Sequence, residues 1–326
     1  MGYRPRRRFI VTLGVLTLVA RAALAQTRAI TARIGIVEFG APPPGVFANL
    51  YVAALKRLGY SEPDSLQIER RYAEGDSARL AALLKDLALR KVDVVFTVGS
   101  DIANVAKEVV PGVSVVTAGS EDPLMSGLIQ EYRRPGGNIT GVTYLSPQLA
   151  SKRLELLKEA IPGLALVAVL WDPSHLDTYY KDMEPVAARL GIRLQLLEVR
   201  APTEIDGAIA TAQKAHAQAM FVVPSRMVNL EVRRIGRLAL GARLPVMAAY
   251  ANFTDAGGLM SYGAVTGEML SRAAEQTVRI LKGAKAGDLP FEQAATFELV
   301  INLKTAKEIG LAIPQSMLVR ADRVIE

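Results

Sequence analysis

Two apolar segments decide the fold: RIGIVEF at residues 33–39 and LVAVLW at residues 166–171. Both are rich in β-branched side chains, and each predicts a strand that is buried on both faces, as in a parallel sheet. They begin about 130 residues apart and open two approximate copies of one structural unit. The chain of 326 residues is also longer than a single hydrophobic core usually supports, so two lobes are expected.

Each copy continues in the same order. The opening strand is followed by a helix that ends at a glycine, a second strand, an amphipathic helix and two further strands. This alternation predicts an α/β fold of two doubly wound parallel-sheet lobes joined by a hinge. The further strands are predicted at 66–72, 92–97 and 113–118 in the first copy and at 193–199, 219–223 and 245–250 in the second.

The connection between the copies reads as a turn, a strand and a helix. The turn RPGGN at 134–138 precedes a short strand at 139–144, and the pair Ser146-Pro147 predicts a helix start. A second crossing between the lobes is predicted near the DAGG turn at 255–258. The predicted first lobe comprises residues 30–142 and about 258–290, and the second lobe residues 143–257 and about 291–326.

The first 25 residues are predicted to be a signal peptide, outside the fold. The arginines at 6–8 lie in a positive region, an apolar run follows at 9–20, and ALA at 23–25 predicts cleavage after Ala25. The arginines also resemble a twin-arginine export signal. A permanent amphipathic anchor is the alternative. We expect an exported, periplasmic protein.

Removal of this segment changes the net charge. Five arginines and no acid leave with it, so the formal charge falls by five, from +7 to +2. A charge so near neutral gives no reason to expect a nucleic-acid partner. The densest later basic group is interpreted as a solvated helix face and consists of Arg226, Arg233, Arg234 and Arg237.

Signatures of enzymes and metal sites are missing from the sequence. The chain has no cysteine, which excludes disulfides, thiolate metal ligands, a cysteine nucleophile and a lipidated-cysteine anchor. Its two histidines, His175 and His216, have neither metal-ligand spacing nor the position of a general base. GDS at 75–77 resembles the start of a serine-esterase motif but is better explained as a helix cap. We expect no catalytic residue, no metal and no cofactor.

Several side chains follow the predicted strands, where ligands of open α/β sheets bind. Ser100 and Ser225 follow the third strand of each copy, and Ser120 follows the fourth strand of the first. These hydroxyls either receive an anionic ligand group at a helix N-terminus or act only as caps. The aromatic residues at such positions are either ligand-stacking walls or parts of the core, and they are Phe39, Tyr144, Trp171 and Tyr250.

Acidic side chains lie at the same ends of the strands. Glu121, Asp122 and Asp172 could hold an ammonium group of a ligand. Asp122 and Asp172 each precede a proline, so both could instead belong to turns.

Four segments resemble a known family: PGGNITG at 135–141, RLELLKE at 153–159, AGGLMSYG at 256–263 and FELVINLKTA at 297–306. They are similar to the substrate-binding components of ABC transporters, in the group that includes tryptophan- and tyrosine-binding members. The resemblance implies a periplasmic binding protein fold of type I and an amino-acid-like ligand between the lobes. Two departures make the rim of the expected pocket more acidic: GSD at 99–101 replaces the common Gly-Thr-Pro or Gly-Ser-Pro, and Ser120-Glu121 precedes the next Asp-Pro.

The function expected from these features is that of a periplasmic, monomeric solute-binding component of an ABC importer. It would bind a small amino-acid-like ligand, with an aromatic or branched side chain favoured, and its partner would be a membrane permease. A free-standing ligand sensor for a signalling receptor and a binder of a cationic solute remain the alternatives.

Overall fold

The computed structural model describes residues 32–120, 122–144, 146–175 and 180–326. The predicted signal peptide, residues 1–25, and the candidate ligand residue Glu121 lie outside these ranges, as does the side chain of Ser120. Within the described ranges, no helix has the length and apolar character needed to cross a bilayer.

The chain alternates strands and helices up to residue 143. Its elements there are β1 (Ala32–Glu38), α1 (Val46–Arg57), β2 (Leu66–Tyr72), α2 (Leu80–Leu89), β3 (Val94–Val98), α3 (Ser100–Val109), β4 (Ser114–Ser120) and β5 (Ile139–Thr143).

The second copy repeats the alternation with shorter elements near its end. It consists of α4 (Ser146–Ala160), β6 (Leu166–Trp171), α5 (Tyr180–Arg189), β7 (Arg193–Glu198), α6 (Ile205–Lys214), β8 (Ala219–Val222), α7 (Arg226–Leu230), α8 (Val232–Gly241), β9 (Val246–Ala248) and α9 (Ala251–Asp255).

The remaining elements are divided between the two lobes. They are β10 (Met260–Ala264), α10 (Thr266–Leu281), β11 (Glu292–Gln293), β12 (Phe297–Asn302), α11 (Leu303–Ile309), α12 (Gln315–Arg320) and β13 (Arg323–Ile325). Single 3-10 turns lie at Ser77–Arg79, Pro202–Glu204 and Ala286–Asp288.

The strands form two sheets, one for each lobe. The first sheet has the order β11-β5-β4-β3-β1-β2 with parallel neighbours throughout, and the second has the order β13-β12-β10-β9-β8-β6-β7. The second sheet is parallel except where β12 pairs antiparallel to β10. The predicted α/β fold with two doubly wound, parallel-dominated sheets is confirmed; the antiparallel pair is a feature that the strand pattern did not indicate.

The long helix α10 closes the core of the first lobe. Its buried Leu270 and Ala273 pack in one cluster with Ile34 and Phe96 from the strands. Helix α10 also makes a hydrogen bond in the core, since the Thr277 hydroxyl lies 2.7 Å from the Tyr51 hydroxyl of α1. Helix α10 therefore belongs to the first lobe, although it comes late in the sequence.

The chain passes between the sheets at three places. It leaves the first sheet after β5, returns between β10 and α10, and leaves again between β11 and β12. The return predicted near 258 lies instead after Ala264, because β10 pairs with β9 in the second sheet. The predicted turn at 255–258 packs on α8, where a Cβ on Gly236 would lie 2.2 Å from the Ala256 carbonyl oxygen. The final departure near 291 likewise comes later, after Gln293, since β11 pairs with β5.

Two of the family-like segments meet in the second lobe. Arg153 of α4 is 1% exposed, and its Nε donates a 2.6 Å hydrogen bond to the Tyr262 carbonyl oxygen on β10. The next residue, Gly263, has no room for a side chain, because a Cβ there would lie 2.0 Å from the Ala249 carbonyl oxygen. The resemblance of these segments therefore reflects close packing between α4, β10 and the end of β9.

In each sheet, the order in which successive strands are added reverses at one point. In the first sheet this point lies between β1 and β3, and in the second between β6 and β8. Loops diverge from such a point at the carboxyl ends of the strands and leave a crevice, where open α/β sheets bind ligands.

Candidate functional site

A cavity of about 260 Å³ lies between the crevices of the two sheets. One wall is the loop after β1 together with the start of α1 and the end of β3, all from the first lobe. The other wall comes from α7 and α9 of the second lobe. Its lining is Ile36, Val37, Glu38, Phe39, Gly40, Ala41, Pro43, Gly45, Val46, Phe47, Ala48, Phe96, Val98, Ile102, Arg226, Asn229, Leu230 and Asn252.

The short helix α7 presents the polar side of this cavity. Ser225 caps it, because its hydroxyl accepts a 3.1 Å hydrogen bond from the Val228 amide. Residues three and four apart lie on one face of a helix, so Arg226, Asn229 and Leu230 all face the first lobe. The Ser225 hydroxyl is thus used for capping, one of the two roles predicted for it.

Arg226 connects the two lobes. Its guanidinium lies 2.9 Å from the Asp101 carboxylate of α3 and 4.4 Å from the centroid of the Phe39 ring. The first contact is an ion pair, and the second has the geometry of a cation–π interaction. The interpretation of Arg226 as part of a solvated face is wrong, since its side chain is only 21% exposed and lies between the lobes.

A smaller cavity of about 40 Å³ adjoins the first and shares Phe47, Val98, Arg226 and Asn229 with it. Its remaining lining is Gly99, Gly119, Tyr144, His175, Pro224, Ser225 and Tyr250.

Aromatic rings join the lobes beside this smaller cavity. The Tyr250 ring, from the second lobe, lies edge-on to both Phe47 and Tyr144 of the first, with 5.7 Å between centroids in each pair. Edge-to-face pairs at this distance are favourable, so the closed arrangement of the lobes is stabilised by rings as well as charge.

Four buried polar atoms in the lining of the larger cavity have no hydrogen-bond partner among the described residues. They are Glu38 Oε1, Arg226 Nε, Asn229 Oδ1 and Asn252 Oδ1. Buried polar groups are nearly always paired, and each unpaired one is costly. A ligand with both donors and acceptors would pair them, so the lining is suited to a small polar molecule with an apolar part.

The Glu38 carboxylate is held at the end of β1 by its second oxygen. Glu38 Oε2 accepts a 2.7 Å hydrogen bond from the Gly45 amide, where the loop after β1 turns into α1. Burial raises the pKa of the Glu38 carboxyl, although the Gly45 bond and the charge of Arg70 act in the opposite direction.

The structure brings four of the predicted site residues to the cavities. Phe39 lines the larger one, and Tyr144, Ser225 and Tyr250 line the smaller. Ser120 ends β4, next to Gly119 of the smaller cavity.

Other predicted site residues lie elsewhere or are engaged in local structure. Ser100 is fully buried at the start of α3 and lines neither cavity. Asp122 accepts hydrogen bonds from the amides of Leu124 and Met125, as a turn residue does. Asp172 accepts from the amide and hydroxyl of Ser174, at 2.9 and 2.5 Å. The turn alternative for both aspartates agrees with these contacts.

Trp171 lies in the core of the second lobe. It is 9% exposed and packs in one cluster with Leu154, Met183 and Phe221, and it lines neither of the two cavities. Its place at the end of β6 predicted either a ligand wall or a core position, and its burial in this cluster favours the core position.

The sequence analysis missed Glu38, Phe47, Asn229 and Asn252 as lining residues, and His175 was considered only as a base or metal ligand. The usable signal was the position of Glu38 at the end of the opening strand. Among the described residues, no three acidic, histidine or cysteine side chains are grouped to hold a metal ion.

Comparison with known proteins agrees with this architecture. The profile of a family described as ABC transporter substrate binding protein matches residues 51–325. The tyrosine-binding protein of Clostridioides difficile (strain R20291) is 21% identical over 264 residues, which are 80% of this chain and 75% of that protein.

Two solved structures have the same fold. The ABC domain from Streptococcus pneumoniae in complex with L-Trp superposes with a TM-score of 0.82 at 25% identity, over 90% of this chain and 100% of that one. A conserved domain protein from Vibrio cholerae gives a TM-score of 0.82 at 22% identity, over 90% and 99%. Because the family profile covers most of the chain and the two-lobed fold agrees with it, the chain belongs to the ABC transporter substrate-binding proteins and is a solute-binding component rather than an enzyme.

Proposed function

We propose that the chain is the binding component of an ABC importer for a small amino-acid-like ligand, with an aromatic or branched side chain favoured. The observation that carries the proposal is the cavity between the lobes, whose apolar and aromatic walls enclose unpaired polar atoms of both hydrogen-bonding types. An amino acid has an apolar side chain for the walls and a charged ammonium and carboxylate for the polar atoms.

The relatives support this choice of ligand class. One is named for binding tyrosine, and the other was solved with L-Trp. The lining contains both a carboxylate, Glu38, and a guanidinium, Arg226, so it offers partners to both charges of a zwitterion, whereas a purely cationic solute would leave the Arg226 Nε donor without an anionic partner.

In this proposal the ligand works by stabilising the closed arrangement of the lobes. The contacts of Arg226 and Tyr250 across the cleft form only when the lobes are together. A ligand that touches both walls binds the closed form better and shifts the population toward it. The closed monomer is then the form that a membrane permease recognises.

The proposal places the mature chain in the periplasm after removal of residues 1–25. Mass spectrometry of periplasmic material should find a terminus at Gln26, and an intact Met1 terminus there would contradict export by a cleaved signal.

A thermal-shift panel on the mature chain tests the ligand class, because a ligand that binds only the folded form raises its melting temperature. The panel should contain aromatic and branched amino acids, polyamines, aromatic acids and sugars. We expect the aromatic and branched amino acids to raise the melting temperature most. A response confined to sugars or polyamines would refute the amino-acid proposal, and labelled-ligand uptake with and without the chain would then separate transport from sensing.

A further inference from the structure

Glu38 has one carboxylate oxygen engaged and one available. Oε2 accepts a hydrogen bond from the Gly45 amide at 2.7 Å, whereas Oε1 is buried and has no hydrogen-bond partner among the described residues. Glu38 is one of the residues that line the larger cavity. The Gly45 bond fixes the carboxylate in place, so Oε1 is a preoriented acceptor. A buried acceptor of this kind is costly in the empty protein and becomes useful when a donor arrives.

Among the described residues, no charged or titratable neighbour of Glu38 forms a hydrogen bond with that oxygen. Arg70 and Tyr72 of β2 are the groups that act on it electrostatically from the same sheet. Arg70 lies 3.6 Å from Glu62 through Nη1. Arg226, from the second lobe, lines the same cavity but pairs with Asp101.

Arg226 has the complementary property. Its Nη2 is engaged by Asp101, and its Nε is a buried donor with no partner among the described residues. The cavity is therefore lined by a first-lobe residue with an unpaired acceptor and by a second-lobe residue with an unpaired charged donor. Asn229 and Asn252 add amide oxygens from the second lobe.

We propose that Glu38 and Arg226 determine the specificity of the cleft: Glu38 receives the ammonium group of the ligand and Arg226 its carboxylate, so that the cleft selects zwitterionic amino acids over amines and carboxylic acids. This inference rests on the proposed function and names the ligand class for the same cavity. It uses Glu38 rather than the aspartates of the expected acidic cluster, because Asp101, Asp122 and Asp172 line neither cavity, whereas Glu38 lines the larger one.

The test compares Glu38→Gln with a matched control, Glu108→Gln, an exposed residue of the first lobe outside both cavities. A glutamine can keep the Gly45 hydrogen bond, so Glu38→Gln removes the charge and little else. The probes are L-tyrosine, its des-amino analogue 3-(4-hydroxyphenyl)propionate, its decarboxylated analogue tyramine, and L-tryptophan, with affinities measured by calorimetry.

The informative quantity is the ratio of two dissociation constants, that of the des-amino analogue to that of L-tyrosine. We expect the wild type and Glu108→Gln to share a large ratio, and Glu38→Gln to lower it on the order of tenfold, as loss of a buried charge pair does. A general loosening of the cleft would weaken both probes equally and leave the ratio unchanged. Arg226→Gln should instead lower the ratio of the dissociation constant of tyramine to that of L-tyrosine. This change would report a weaker preference for a ligand with a carboxylate.

The outcomes separate the two proposals. If L-tyrosine or L-tryptophan binds and Glu38→Gln keeps the wild-type ratio, the role of Glu38 is refuted while the amino-acid function stands. If the wild type prefers tyramine or the des-amino acid to both amino acids, the amino-acid function is refuted, and the role of Glu38 survives only if Glu38→Gln weakens tyramine selectively. Failure of all four probes to bind would count against both.

Discussion

The Asp101 carboxylate of the first lobe lies 2.9 Å from the Arg226 guanidinium of the second, at the edge of the interlobe cavity. Both side chains are about one-fifth exposed, so this ion pair is neither a solvated surface contact nor a dry internal one. It also holds Arg226 beside Phe39, with its Nε in the cavity lining. One residue thus takes part in lobe closure and in the polar lining.

Asp101→Asn should shift the protein toward an open arrangement and weaken ligand binding about two- to fivefold, since partly exposed pairs contribute about 0.2–1 kcal/mol. Small-angle X-ray scattering of the empty protein reports the opening, and calorimetry with L-tyrosine reports the affinity. Asp64→Asn, on an exposed turn of the same lobe, is the control. Equal affinity and equal compactness in the two variants would show that the ion pair does not favour closure.

Trp171→Ala should destabilise the protein by about 3–5 kcal/mol, because it empties space in the packed core of the second lobe. Ligand affinity, measured below the unfolding transition, should change less than twofold. Denaturant unfolding gives the first quantity and calorimetry the second. A variant of normal stability with weakened binding would instead make Trp171 part of a ligand wall, as its position at the end of β6 suggested.

Gly263→Ala should destabilise the protein by about 1–3 kcal/mol. The new Cβ would lie 2.0 Å from the Ala249 carbonyl oxygen, so β10 must shift. The matched control is Gly207→Ala on α6, where no atom lies within 4 Å of the added Cβ. The free energy of unfolding of that variant should rise by about 0.5–1 kcal/mol, because alanine has a higher helix propensity than glycine. Thermal unfolding of both variants distinguishes crowding from a general effect of adding a methyl group.

Glu38→Gln should raise the melting temperature of the empty protein at neutral pH. Burial raises the pKa of the Glu38 carboxyl above its ordinary value of 4.5, so the folded protein holds this proton more tightly than the unfolded chain. Stability from this group is therefore fully present below about pH 4.5 and is lost as the pH rises through the raised pKa. The difference in melting temperature between wild type and Glu38→Gln should vanish in acid.

A melting curve at several pH values checks this prediction, with Glu108→Gln as the control variant on the exposed surface. If Glu38→Gln is less stable than wild type at neutral pH, Glu38 holds the fold together and its free oxygen is not a cost kept for the ligand. The expected combination, a more stable protein that binds less well, is typical of residues retained for function.

The fold was predictable because its signals are local. Runs of apolar residues such as those of β1 and β6 determine strands within a few positions, and the repeat of strands and helices determines the doubly wound order. The points at which the chain passes from one lobe to the other were harder to predict. Strand β10 and helix α10 are adjacent in sequence yet belong to different lobes, and no local pattern separates Ala264 from Thr266.

The site was less predictable because it depends on contacts between distant parts of the chain. Glu38 and Arg226 share one cavity, although no sequence spacing connects them. Conversely, Asp122 and Asp172 lie at the expected ends of strands, but Oδ1 of each accepts hydrogen bonds from amides two or three residues away. A hydrogen bond between a side chain and a nearby backbone amide can be predicted from a turn motif. A contact with a residue of the other lobe cannot be predicted in this way.

The three passages between the sheets also determine the order in which the lobes can be completed during synthesis. Most of the second lobe, residues 146–264, is synthesised before α10 and β11, which the first lobe needs for its core and its edge. The last two strands of the second sheet, β12 and β13, are synthesised after both. Neither lobe is therefore complete until residues beyond 265 have been made, and a ribosome paused near residue 265 would expose a first sheet without its covering helix. A fragment that is meant to fold as the first lobe alone must accordingly join residues 32–143 to 266–293.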